Sequence, residues 1–216
     1  MEEVRLRLIY PSHMKKETTG AAFRGVERLA SFGVLCEKGD ESEQMWDVKA
    51  GSRIMEIVRS QAPAIVGRYH LEEGLIDLIT DTTVIGVGIT DQPIFSIEEY
   101  TSKQVIGMSA GPVGAIVSLA GFDDPVPRGV PYRSGMAEIG IDSKAVELAV
   151  ARAAGRIFIP HSDRLYRGNC RAQECIMQEF RSAMQLMEKV ARGRLDICIS
   201  CESDIQRTVD LMQRPY

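Results

Sequence analysis

The sequence predicts an α/β fold with a mainly parallel sheet flanked by helices, Rossmann-like in layout. Three observations carry that expectation. Short β-like runs alternate with segments of helical periodicity along the 216 residues. Two of those runs, 82–89 and 113–120, are apolar almost without interruption, as strands buried on both faces of a parallel sheet must be. A helical pattern over 142–155 then follows, opened by Asp142 or Ser143 and closed by Gly155.

The elements follow in order. Val4-Arg5-Leu6-Arg7-Leu8-Ile9-Tyr10 alternates apolar and basic residues like a half-buried or edge strand, and Pro11 ends it. Thr18 or Thr19 is expected to cap a helix that aligns Phe23, Val26, Leu29 and Ala30 and stops near Gly33. Phe32 to Cys36 reads as a strand, and Lys38 to Glu43 as a solvated acidic loop. Ile54, Ile57 and Val58 form a helical stripe that ends before Pro63. Ser96-Ile97-Glu98-Glu99 predicts a short capped helix, and Pro125, Pro127 and Pro131 make 121–135 irregular. Beyond Gly155 the pattern gives a strand at 156–160, a long amphipathic helix at 170–190, a strand at 195–200 and a closing helix at 203–212. Two organisations stay open: an N-terminal α/β lobe of unknown role over 1–80 beside a Rossmann-like ligand-binding domain over 81–216, or one continuous domain.

Composition narrows the class. With 44% hydrophobic and 26% charged residues the chain is an ordinary globular one, not a disordered one. A net charge of −4 argues against direct nucleic-acid binding driven by bulk charge. No uncharged apolar run reaches the roughly 18 residues of a membrane span. The start, Met1-Glu2-Glu3-Val4-Arg5, lacks the basic-then-apolar layout of a signal peptide, so a cytoplasmic location is expected, with no membrane partner. A homo-oligomer is the expected assembly. Five cysteines, an odd number outside a secretory context, read as thiols or ligands rather than a disulfide framework.

Ligands of open α/β sheets sit beyond the carboxyl ends of the strands. Three turns there carry suggestive chemistry. Gly86, Gly88, Thr90 and Asp91 combine close backbone approach with a hydroxyl and a carboxylate, though no third glycine completes a dinucleotide fingerprint. The alternative is tight packing within a strand. The segment from Gly107 through Ser109 and Gly111 to Gly114 could form an anion-binding nest of backbone N–H groups, or a simple turn. His161, Asp163, Arg164 and Arg167 offer an imidazole, a carboxylate and two guanidiniums suited to a phosphorylated or hydroxylated ligand, or else a solvated loop.

His13, His70 and His161 lie in separate segments with no H-E-x-x-H pair, so a histidine-based zinc enzyme has no support in the sequence. No G-x-S-x-G elbow appears either. Cys198 and Cys201 form a C-x-x-C, and with Cys170 and Cys175 they could bind zinc or an iron–sulfur cluster. Against that, the spacing of Cys170 and Cys175 matches no common knuckle, and buried cysteine is an ordinary core residue.

Residues 113–201 resemble the effector domains of DeoR-type and SorC-type bacterial regulators. The likeness rests on Val113–Asp123, on the Ala145–Ala154 helix, on Ile157-Phe158-Ile159 leading to Asp163 and Gly168, and on Leu195–Glu202. The resemblance implies a Rossmann-like sheet that senses phosphorylated sugars, with Asp123 and Asp163 at the strand-end sites. It departs from the family at Glu147 and Tyr166, and no helix-turn-helix opens the chain. The leading expectation is therefore a sensor domain for a phosphorylated sugar or polyol, as in transcription regulation, with a DNA-binding part supplied by another chain or absent. A sugar-phosphate isomerase on the same scaffold and a cysteine-ligated metal or redox protein follow as alternatives.

Overall fold

The computed structural model describes residues 3–41, 84–91, 94–98, 101–110, 114–122, 142–159, 170–193 and 195–214. Strand β1 (Arg5–Tyr10) forms as its alternation predicts: Leu6 and Leu8 are fully buried, while Arg5 and Arg7 remain partly exposed. Arg7 stands opposite Glu37 on β2 (Leu35–Glu41) and donates to its carboxylate at 3.0 Å. That pairing carries β2 through Lys38 to Glu41, where the sequence predicts a loop. Charge suits this position, because among the described strands β2 lies at the sheet edge, and charged edges resist further pairing.

The main sheet has the order β2-β1-β3-β7-β6. β1, β2, β3 (Val84–Thr90) and β7 (Gly114–Ser118) run parallel, and β6 (Gly107–Ala110) closes one edge antiparallel to β7. β3 and β7 are buried along their whole length, as their apolar runs predict. Because β1 lies between β2 and β3, the described strands of 1–80 share one sheet with three strands of 81–216.

Three local expectations give way here. Residues 96–98 of the expected 96–99 helix belong to β4 (Ile94–Glu98), paired with β5 (Thr101–Val105). Ile94, Phe95 and Ile97 favour a pleated strand, and a whole ladder outweighs one capping signal. The segment 107–110, read as a nest or turn, enters the β6–β7 ladder instead. Helix α1 (Lys16–Glu27) starts before Thr18 and Thr19, which are buried within it; Thr19 Oγ1 bonds back to the Lys16 carbonyl. A 3-10 turn over Arg28–Phe32 then ends at Gly33, whose φ of 81° suits glycine.

Helix α2 (Ser143–Ile157) is capped as predicted: Asp142 Oδ1 accepts from the Lys144 and Ala145 amides at 2.9 and 3.1 Å. It runs through Gly155, so Ile157 closes a helix where a strand was expected. Gly155 is a packing residue there, because a Cβ would strike the Met177 side chain. Gly25 does the same between helices: a Cβ on it would meet the Glu147 carbonyl and the Val150 side chain. The absence of that carbon lets α1 and α2 pack against each other and against the sheet. α3 (Ala183–Arg192) lies on α2, and α4 (Ile199–Met212) on the 3-10 turn. Among the described residues no helix is long and apolar enough to cross a membrane.

Candidate metal centre

Residues 170–182 make turns rather than the start of a long helix, and α3 begins only at Ala183, capped by Ser182. The cause is a tertiary contact. Cys175 pairs with Asp196 in an isolated parallel bridge, fixed by Ile176 N–H to the Asp196 carbonyl at 2.9 Å and Asp196 N–H to the Glu174 carbonyl at 3.0 Å. The strand expected at 195–200 shrinks to that bridge. α4 therefore starts at Ile199, with Cys198 at its N-cap and Cys201 in its first turn. Of the segments on which the regulator resemblance expects strands, Ile157 is the last residue of α2 and Ile199 the first of α4.

This arrangement gathers Cys170, Cys175, Cys198 and Cys201 so that their sulfurs all lie within 4.8 Å of one another. Cys170 and Cys198 are 3.5 Å apart, and Cys175 and Cys201 3.8 Å. Four thiolates around one ion at the usual Zn–S distance of about 2.3 Å would have sulfurs separated by about 3.8 Å, the edge of the tetrahedron. Amides also point at the sulfurs: Ala172 N–H to Cys170, and Met177 and Cys198 N–H to Cys175, each at 3.4 Å. Cys170 and Cys175 thus each accept from the amide two residues on. They sit on separate turns, which is why their spacing looks unlike a single knuckle.

The electrostatics favour negative charge at one of the sulfurs, that of Cys175. The Cys201 thiol donates to Cys175 and, with the backbone amides, outweighs burial to bring Cys175 down to about 5. Cys201 is correspondingly pushed far up as the donor, and burial raises Cys170. The amides and the N-terminus of α4 oppose the net negative charge that four thiolates leave around a dication. Cys36 stands apart from the cluster: it donates to the Val26 carbonyl at 3.3 Å, and burial with Glu27 nearby raises it to about 11.

The other sequence-predicted residues fall partly within the described chain. Gly86 and Gly88 lie inside β3, paired with β1 and β7. Ser109 is on β6 opposite Ala115. Gly111, Asp123, His161, Asp163, Arg164 and Arg167 lie outside the described residues. Asp91 ends β3 and meets His13 from the loop after β1, Nε2 to Oδ2 at 3.0 Å. In the sequence His13 stands isolated, because nothing local signals a partner 78 residues away. The pair sits where the sheet order reverses, between β1 and β3, outside their carboxyl ends.

No family model and no curated protein matches the chain. Among solved structures it is similar to a zinc-dependent peptidase from Methanocorpusculum labreanum (strain Z), at 14% identity and a TM-score of 0.51. The match covers 93% of this chain and 99% of that one. The likeness is one of fold. It supports the α/β architecture, and the zinc and the peptidase activity belong to that protein's name.

Proposed function

We propose that this chain is a zinc-binding α/β domain in which Cys170, Cys175, Cys198 and Cys201 hold one ion in a closed, structural site. The observation that carries this reading is the sulfur geometry, with all four Sγ atoms within 4.8 Å. A tetrahedral set of four sulfurs suits zinc or a single iron. It is too tight for a cube-shaped iron–sulfur cluster, which binds its cysteines on separate irons. Four protein ligands leave no open position for water or substrate, so the ion fastens rather than catalyses. What it fastens is the turn segment at 170–182 to the start of α4. The deciding experiment is metal analysis of protein purified without oxygen. One zinc per chain is expected; less than half an equivalent of zinc would overturn the reading.

Peptidase activity is not part of it. The zinc-peptidase signature H-E-x-x-H places two histidines one turn apart around a glutamate on a helix. On α2 the matching frame reads Val146-Glu147-Leu148-Ala149-Val150, with both valines fully buried and the glutamate held by Arg28 and Lys144.

A second reading, binding of a small phosphorylated or polyhydroxylated molecule at the carboxyl edge of the sheet, is favoured by the His13–Asp91 pair. Open α/β sheets bind ligands at such reversals of strand order. A sensor or an isomerase would share that location, and turnover would separate them. A thermal-shift screen against sugar phosphates, polyols and inorganic phosphate tests it. A shift lost in His13→Ala supports the reading, and no shift across the panel removes it.

A further inference from the structure

The four cysteines differ in access to solvent. Cys170 and Cys198 are half-buried with sulfurs 3.5 Å apart, whereas Cys175 and Cys201 are buried with sulfurs 3.8 Å apart. Each close pair joins the two arms of the site, one sulfur from the turns and one from the start of α4. A disulfide needs its sulfurs about 2.05 Å apart. A displacement of about 1.5 Å would bring the half-buried pair together.

We propose that Cys170 and Cys198 are a site of reversible oxidation by hydrogen peroxide, and that their disulfide releases the metal while keeping the two arms joined. The proposal rests on the zinc reading above and adds its regulation. One of the two exposed-side thiolates attacks the peroxide O–O bond; sulfur gains OH and hydroxide leaves, taking up a proton to become water. The other thiolate then attacks that sulfenic sulfur, forming the S–S bond and expelling a second hydroxide, which is also protonated. In sum, two thiolates, one peroxide and two protons from solvent give one disulfide and two waters, and the two electrons come from the sulfurs. Zinc keeps its charge, retains only Cys175 and Cys201, and dissociates. The new bond spans the same arms that the ion spanned, so release does not require unfolding. A reductant and free zinc restore the starting state.

Cys198 and Cys201, the C-x-x-C pair, are the obvious competitors. Cys201 is buried and its sulfur is engaged with Cys175, which assigns the first bond to Cys170 instead. Cys36 lies outside the cluster as a half-buried, high-pKa thiol, so Cys36→Ser should leave the response unchanged.

The test is a peroxide titration of the zinc-loaded full chain, with a chromogenic zinc chelator as readout and disulfide mapping by peptide mass spectrometry. One zinc released per peroxide consumed, with the Cys170–Cys198 bond mapped and reversed by dithiothreitol plus zinc, is the expected result. Zinc retained under excess peroxide, release with a Cys198–Cys201 bond, or release with only sulfinic acids formed would each overturn the proposal. Protein isolated without zinc overturns the metal reading before peroxide is added. Protein that holds zinc and keeps it under peroxide overturns the switch alone.

Discussion

Arg28 Nε donates to Glu147 Oε1 at 2.8 Å, joining the end of α1 to the first turns of α2. The same guanidinium reaches Asp196 through Nη1 at 2.9 Å, two positions before Cys198. Lys144 completes the set around Glu147. One carboxylate therefore organises cations from two helices, and one arginine ties that group to the segment that carries the cysteines.

Burial alone would push the Glu147 carboxyl up, but the hydrogen bonds from Lys144 and Arg28 outweigh it and lower its pKa below 4.5. A lowered folded-state pKa gives stability that is present above the unfolded value and lost as pH falls through the folded one. Glu147→Gln should cost about 1.5–3 kcal/mol at pH 7, the range for hydrogen bonds to charged groups. Urea unfolding at pH 7 and in acid checks it: the gap between wild type and variant should narrow as pH falls below 4.5.

Gly25→Ala and Gly155→Ala should differ. At Gly25 the added carbon meets the Glu147 backbone carbonyl, which cannot swing aside, so α1 and α2 must separate. A cost of about 1–3 kcal/mol is expected, or a Tm lower by about 2–4 °C per kcal/mol. At Gly155 the obstacle is the end of the flexible Met177 side chain, which can move, so the loss should be smaller. Equal losses in paired thermal melts would contradict this.

Zinc binding should stabilise the fold and release protons. With free zinc 1,000-fold above its Kd, stability rises by about 4 kcal/mol, visible as a Tm increase of about 8–16 °C. Cys201 and Cys170 both have raised pKa values and hold protons at pH 7 without metal. Binding must displace at least those two, so affinity should rise by about 100-fold per pH unit near neutrality. A pH-indicator dye in weak buffer counts the protons; one or none would contradict the assignment.

Cys36 should produce a loss of stability in alkali. Its folded pKa is raised to about 11 from 9.0, so its contribution is intact below 9 and is lost as pH rises through 11. Cys36→Ala removes that titration. Denaturant melts of both proteins between pH 8 and 11 should show the wild type losing more stability than the variant.

The strands at β1, β3 and β7 and the Asp142-capped α2 were legible in the sequence. Their signals are local: strict alternation, unbroken apolar runs, and a carboxylate two and three residues before the amides it caps. The errors cluster where a distant contact overrides a local pattern. The 96–98 segment follows its β5 partner, Gly155 is a contact rather than a stop, and the apparent helix from 170 is broken by the Cys175–Asp196 bridge.

The sequence by itself determined the fold class, because a buried parallel strand and an amphipathic helix each need a periodicity that short stretches of chain display. It also supplied the four candidate thiols. Only the tertiary structure decided that these thiols meet, that Cys36 does not join them, and that His13 finds Asp91. Each of those depends on distances between residues tens of positions apart, which are set by how Gly25, Gly155 and the bridge at Cys175 let the layers close. No pattern within one segment encodes them.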